Sequence, residues 1–197
     1  CNNVARKAWV AGGLPWHVPA TSVDRQCGSS QQAVHFVAQG VIAGAYDLGI
    51  ACGVESMSRT PMGSNAAGGT GPFSGQWIEA VGGRFHPTQF EVSQILAERY
   101  GITREDCDAY SARSHQLAAK AHAAELFAGQ IVPVPIKQKK QTVDFTSDEH
   151  VRPDSTAEGL ARLRPVFKKD GLVTAGNASG INDGAAMMLV TSAAKAE

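Results

Sequence analysis

Val23-Asp24-Arg25-Gln26-Cys27-Gly28-Ser29-Ser30-Gln31-Gln32 is the stretch around which the chain is organised. Thr21, Ser22 and Val23 read as the end of a strand. Ala33, Val34, Phe36, Val37, Val41 and Ile42 then recur at three- and four-residue spacing, the apolar face of a helix. Cys27 therefore falls where an extended segment gives way to a helix. Gly28, Ser29 and Ser30 lack bulk, so a ligand can approach the backbone there. The first turn of a helix offers free N–H groups and a positive dipole end. A thiol in that position is expected to ionise more readily and to act as a nucleophile. Its own N–H can face a developing oxyanion. A cysteine is more commonly a small buried hydrophobe, and position alone leaves both readings open.

The residues around Cys27 separate them. VDRQCGSSQQA resembles the nucleophile turn of the thiolase family, the acyl-CoA acetyltransferases and 3-ketoacyl-CoA thiolases. GVESMSRTPM at 53–62 and LRPVF with GLVTAGNASGINDGAA across 163–186 also resemble thiolase segments, in the family's order. Together these matches extend over nearly the whole chain.

Composition is consistent with such an enzyme and excludes other classes. The 197 residues suffice for one or two domains. Lys plus Arg number 18 and Asp plus Glu 18, so no net positive charge favours a nucleic-acid partner. No apolar run approaches the roughly 20 residues of a membrane span. No signal peptide is visible. Cys1, Cys27, Cys52 and Cys107 are scattered without CxxC spacing, so neither a zinc site nor a disulfide framework is expected. A reducing, intracellular setting fits this cysteine usage.

Along the chain, Asn2 to Gly12 reads as a helix ended by Gly12-Gly13. The apolar run within Asp47 to Gly53 reads as a strand buried on both faces of a parallel sheet, which makes the nucleophile helix the crossover of a βαβ unit. Gly63 to Gly83 is rich in Gly, Ser and Ala and reads as a long loop; the resemblance puts a tetramer-assembly loop there. Thr88 is the expected N-cap of a helix over 89–99 closed by Gly101. Thr103 with Asp106 resembles a capping box opening a helix to about Phe127. Ile131 to Ile136, interrupted by Pro133 and Pro135, is at best an edge strand, followed by a basic turn at Lys137, Lys139 and Lys140. Ser155 with Glu158 is expected to cap a helix over 157–163. Strands are expected at 172–175 and 185–190 around a Gly/Asn/Asp loop at 177–184.

The resemblance implies an α/β fold of the thiolase type, layered α-β-α. It implies an N-terminal core domain from residues 1–56 and 182–197, with a loop domain inserted at 57–181. It also implies chemistry. Cys27 is the acyl-accepting nucleophile. Arg152, Phe167, Ala175, Ser179 and Ile181 match positions that grip coenzyme A, with Arg152 near the nucleotide and Ser179 on the pantetheine amide. Taken alone, Arg152 is a solvated loop residue and Asn177-Ala178-Ser179-Gly180 an ordinary turn. The substrate is a coenzyme A thioester, with no metal and no other cofactor, and the assembly a homodimer or homotetramer in the cytoplasm.

The family's remaining groups are a His in GHP, a second Cys in CxG and an Asn in NEAF, and none of these strings occurs here. The chain is therefore expected to be about half of a thiolase, inactive alone. His35, eight residues beyond Cys27 on the same helix, is about 12 Å along the axis and makes a poor substitute base. His115 and His122 read as a solvated helix face. Two departures bear on specificity. Phe85-His86, before Pro87, replace a His–Met pair of many biosynthetic thiolases, which predicts an acyl pocket for groups longer or bulkier than acetoacetyl. Gly159 stands where some members have a nucleotide-contacting serine. A ketoacyl-synthase-like condensing enzyme and a non-catalytic CoA- or lipid-binding homologue are the alternatives; the first usually has a different nucleophile turn, and retention of Cys27 opposes the second.

Overall fold

The computed structural model describes residues 3–64, 68, 73–82 and 88–197. In chain order its elements are α1 (Val4–Ala11), a 3₁₀ turn (Gln26–Gly28), α2 (Ser29–Ile42), β1 (Leu48–Ser56), α3 (Gly75–Ala80), α4 (Gln89–Tyr100), α5 (Arg104–Ala123), β2 (Val134–Gln138), β3 (Gln141–Phe145), α6 (Ala157–Ala161), β4 (Asp183–Thr191) and α7 (Ala193–Ala196). The chain divides into two compact units, residues 1–69 with 181–197, and residues 70–180.

In the first unit, β1 and β4 pair antiparallel, from Leu48 opposite Thr191 to Ser56 opposite Asp183. The expected parallel βαβ unit is not formed among the described residues. Thr21, Ser22 and Val23, read as the end of a strand, are irregular, as are the residues on either side of them from 19 to 25. Their polar groups are bonded locally instead. Ser22 Oγ accepts from Val4 N at 3.1 Å, and Asn3 Nδ2 donates to Ala20 O at 2.5 Å. That bonding ties the segment to α1 rather than to a sheet.

One face of the β1–β4 pair lies under α2, and small residues permit the close approach. A Cβ on Gly49 would come within 2.6 Å of Val37, and one on Gly53 would collide with Ser30 Oγ. Ala51 lies between them, 3% exposed. Side chains alternate along a strand, so Ile50, Cys52 and Val54 point to the other face with their partners Leu189, Met187 and Ala185. On that face Val54, Met187 and Leu189 are exposed. Cys52, read from its apolar surroundings as buried, is exposed for this reason. Ser58 closes the strand ends, its N–H donating to Asp183 Oδ1 at 2.9 Å and its hydroxyl to Oδ2.

The second unit is built on α4, α5 and α6. Thr88 caps α4 as expected and also forms a capping box with Glu91, and the capping box expected of Thr103 with Asp106 is present. Gly101 ends α4 at φ 64°, a left-handed conformation that glycine adopts without cost. α5 stops at Ala123, short of the expected Phe127, and the chain turns through Glu125 at φ 54°. α6 is capped by Thr156, not Ser155: Thr156 Oγ1 accepts from Gly159 N at 3.0 Å. α3 lies inside the stretch read as a loop, capped by Ser74. β2 takes in Lys137, the basic turn falls at Lys139-Lys140, and the strand after it, β3, which polar composition concealed, pairs with β2. The strand expected at 172–175 is reduced to a bridge between Pro165 and Thr174. Among the described residues of this unit, Ala97, Ala112 and Leu160 are the buried apolar ones, and Asp108 and Thr174 are buried polar ones.

Two outcomes test this packing. Gly53→Ala is expected to destabilise by about 1–3 kcal/mol through overpacking, with Ser30→Ala in the same chain recovering part of it, read from denaturant midpoints. The second concerns Asp106, whose carboxyl is held below its usual range by the backbone N–H and then the hydroxyl of Thr103. A depressed folded value means that this stabilisation is full above the unfolded value near 3.9 and lost as pH falls through the folded one. The gap in Tm between the wild type and Thr103→Ala should therefore shrink as pH is lowered from 7 to 3.

Candidate active site

Cys27 is the middle residue of the 3₁₀ turn and its thiol is exposed. The turn is set by its neighbours. Gln26 adopts φ 51°, uncommon for a residue with a Cβ. Asp24 Oδ1 accepts from Gln26 N at 3.1 Å and from Gln26 Nε2 at 3.3 Å. Arg25 N donates to Ser29 Oγ at 2.9 Å, and that hydroxyl donates to Gln26 O at 2.8 Å. Asp24 and Ser29 thus brace the turn from both sides and hold the residue before Cys27 in a conformation of high energy. Backbone strain retained beside an exposed nucleophile is a feature of functional sites. α2 follows directly, so its N-terminal end adjoins the cysteine.

His35 is an exposed residue of α2. His115 and His122 do not form a merely solvated face. His115 Nδ1 accepts from Arg152 N at 3.3 Å, and His122 lies 3.4 Å from Asp148.

The other candidate residues fall on several segments. Arg152 and Ser179 are exposed, on segments that meet in the second unit: a Cβ on Gly180 would strike the His150 ring. Phe167 and Ala175 lie on the two arms of a hairpin closed by Val166 N donating to Val173 O at 3.0 Å. Phe167 stacks on Phe90 of α4, centroids 3.6 Å apart. The pair opens on a groove of about 350 Å³ lined also by Gln94, Ile95 and Val173, with Glu98 and Lys168 beside it. Gln94 holds the hairpin, its Oε1 accepting from Leu172 N at 2.9 Å. Lys168 pairs with Glu98 at 3.0 Å, and Gln94 and Lys168 lower the Glu98 carboxyl. Ile181 is exposed and belongs to the first unit. Phe85 and His86 lie outside the described residues. Among the described residues no cluster of His, Cys, Asp or Glu is arranged to hold a metal ion.

Sequence reasoning missed Phe90, which is simply an aromatic residue near a helix start. It also missed Asp108. The one available signal there was the spacing of Arg104 and Asp108, which puts opposite charges one helical turn apart.

The chain matches the family model described as "Thiolase, N-terminal domain" over residues 1–194, and it belongs to that family. It is 43% identical to an acetyl-CoA acetyltransferase of Chromobacterium violaceum, over 99% of this chain and 52% of the relative. It is 42% identical to the human peroxisomal 3-ketoacyl-CoA thiolase, over 98% of this chain and 46% of the relative. Among solved structures it is similar to the Bacillus anthracis acetyl-CoA acetyltransferase, with a TM-score of 0.78 and 40% identity over 99% of this chain and 51% of that one. The chain spans about half the length of these relatives, and its fold is the mixed α/β fold of thiolases.

The three thiols among the described residues should differ in reactivity. Burial pushes the Cys107 thiol up, with the Asp108 and Asp106 carboxylates adding to it. Cys107 is therefore expected to be the slowest of Cys27, Cys52 and Cys107 to alkylate, and Cys27 the fastest because it is exposed beside the N-terminal end of α2 among small residues. Peptide mapping after a short iodoacetamide pulse checks the order; preferential labelling of Cys52 would remove Cys27 from the nucleophile role.

Proposed function

We propose that the protein carrying this chain is an acyl-CoA acyltransferase of the thiolase type, acting on 3-ketoacyl-CoA or acetyl-CoA through an acyl-Cys27 intermediate. The observation that carries this reading is Cys27 itself: an exposed thiol on a braced, left-handed turn ahead of α2, in a chain of this family.

The chemistry follows from that placement. The Cys27 thiolate attacks the thioester carbonyl, the carbonyl π electrons move onto oxygen, and the N–H of Cys27 is assigned to receive the oxyanion, since those of Arg25, Gln26, Gly28 and Ser29 are engaged within the turn. Collapse expels coenzyme A as its thiolate, which takes up a proton, and leaves the acyl group on Sγ. In the condensing direction a carbanion from a second acyl-CoA then attacks the acyl carbonyl and frees the cysteine. In the cleavage direction the Cys27 thiolate attacks the 3-keto carbonyl instead, the C2–C3 bond breaks, the acetyl-CoA carbanion so expelled takes up a proton, and coenzyme A thiolate then removes the acyl group from Sγ. The proton transfers of both halves are assigned to groups of the GHP, CxG and NEAF type, which are not among these 197 residues.

Arg152, Phe167, Ala175, Ser179 and Ile181 are assigned to coenzyme A. The support is the meeting of the Arg152 and Ser179 segments at His150 and Gly180, and the hairpin that joins the Phe167 and Ala175 arms. A planar guanidinium suits a phosphate or an adenine face. Phe85 and His86 are assigned to the acyl pocket on family likeness, with a preference for acyl groups longer or bulkier than acetoacetyl. Assembly as a homodimer or homotetramer, a cytoplasmic location and a role in fatty acid metabolism of the β-oxidation kind rest on likeness alone. On the membrane side, no helix of the described residues is long and apolar enough to cross a bilayer.

Incubation of the whole protein with acetyl-CoA, followed by peptide mass spectrometry, is expected to find one acetyl group on the Cys27 peptide, removable by hydroxylamine and absent in Cys27→Ser. Acetylation at Cys52 or Cys107 instead, or none at all, overturns the proposal.

A further inference from the structure

Asp108 has no part in the chemistry above, yet it is the most constrained carboxylate among the described residues. It lies on α5, 1% exposed. A buried charge is tolerated only with partners that replace water. Asp108 has two. Arg104 Nε donates to Oδ2 at 2.7 Å, and Asn177 Nδ2 donates to Oδ1 at 3.1 Å. Each partner carries the connection further. Arg104 reaches with its other end to Leu160 O at 2.8 Å and Leu163 O at 3.2 Å, which secures the C-terminal end of α6. Asn177 donates to Leu172 O at 2.9 Å and accepts from Thr174 N at 2.8 Å. Thr174 is 0% exposed, and its Oγ1 accepts from Gly176 N at 3.2 Å. Gly176 in turn sits against Leu160 and Leu163, where a Cβ would come within 2.6 Å of either side chain.

The residues so bound alternate with residues that face solvent. Thr174 and Asn177 point inward, whereas Ala175 and Ser179 are exposed. The same helix anchors the other arm, through His115 to Arg152 N and Gln116 Nε2 to Ser155 O at 3.1 Å. Apolar packing would hold such a loop at least as stably as an ion pair. What the carboxylate adds is direction, because hydrogen bonds fix the orientation of the amide and hence of the backbone on both sides of it.

We propose that Asp108 and Asn177 are a positioning pair that presets the 174–179 loop for a coenzyme A thioester. This rests on the coenzyme A reading of Ser179 and Arg152. Preorganisation lowers the ordering cost of binding, and misplacement of a contact by about 1 Å can cost on the order of a hundredfold. The pair should therefore govern how far acetyl-CoA is preferred over a thioester that has no nucleotide.

The test compares Cys27 acylation rates in the whole protein with acetyl-CoA and with a simple acetyl thioester of a small thiol, and takes their ratio. Asn177→Ala leaves the Arg104–Asp108 pair intact, so it is the primary variant; Asp108→Asn is the second. Both are expected to lower the ratio about ten- to a hundredfold. A purely structural role would depress both rates together and leave the ratio unchanged, which overturns the proposal. Ser179→Ala and Arg152→Ala serve as controls. If they lower the ratio and Asn177→Ala does not, the positioning pair alone is wrong. If they too leave it unchanged, the coenzyme A reading is wrong and the pair falls with it.

Discussion

The carboxylate of Asp108 must be compensated, and the second unit is arranged to do so. Taking an ion out of water is expensive, and removing one partner from a buried pair leaves the cost without the return. Arg104 and Asn177 meet that demand from different parts of the chain, one from α5 itself and one from a loop far along the sequence. Everything those two residues touch is placed as a result: the end of α6, the hairpin arm at Leu172, and the buried Thr174. Among the described residues of this unit the buried hydrophobic ones are Ala97, Ala112 and Leu160. Polar geometry sets the orientation of the segments that meet here.

The first unit solves a different problem. α2 must lie close enough to the strand pair to bring the Cys27 turn to a fixed place, and glycine permits this at Gly49 and Gly53. Ser30, one helical step past the turn, rests directly on Gly53. The turn itself is braced by side chains that precede and follow it, so Gln26 keeps its left-handed backbone. Packing below and hydrogen bonds on either side restrict the cysteine without covering it.

Much of this was legible in the sequence wherever one residue type at one spacing decides the outcome. The cap at Thr88 and the box at Thr103 were readable because a hydroxyl ahead of an apolar helical pattern, and at Thr103 a carboxylate three residues on, have few other uses at a helix start. At α6 two adjacent hydroxyls competed, and pattern could not tell that Thr156 would take the cap while Ser155 gave its carbonyl to Gln116. β3 escaped notice because QTVDF has little apolar pattern, and a strand of that kind exists only through its partner. Cys52 looked buried from its apolar neighbours, but which face of a strand is covered depends on where the helix lies. The importance of Cys27 was visible because several family segments coincide, whereas Asp108 looks like one acid among several in Arg104-Glu105-Asp106-Cys107-Asp108. Burial, which sets it apart, is a property of the folded chain.

The β1–β4 pairing also bears on how the chain acquires its structure. Thr191 Oγ1 donates to Asp47 O across 144 positions of sequence, and Ser58 bonds Asp183 across 125. Closing an unstructured loop of that length costs about 4 kcal/mol in chain entropy, growing only slowly with length. Such non-local contacts are late and slow unless the intervening chain has already condensed. Residues 70–180 contain α3, α4, α5 and α6, whose own hydrogen bonds are local and form quickly, while the α5 contacts to Leu160 and Asn177 span 56 and 69 positions. Early condensation of that segment would shorten the effective loop, so the strand pair beneath the cysteine would close last and at a rate governed by the insertion.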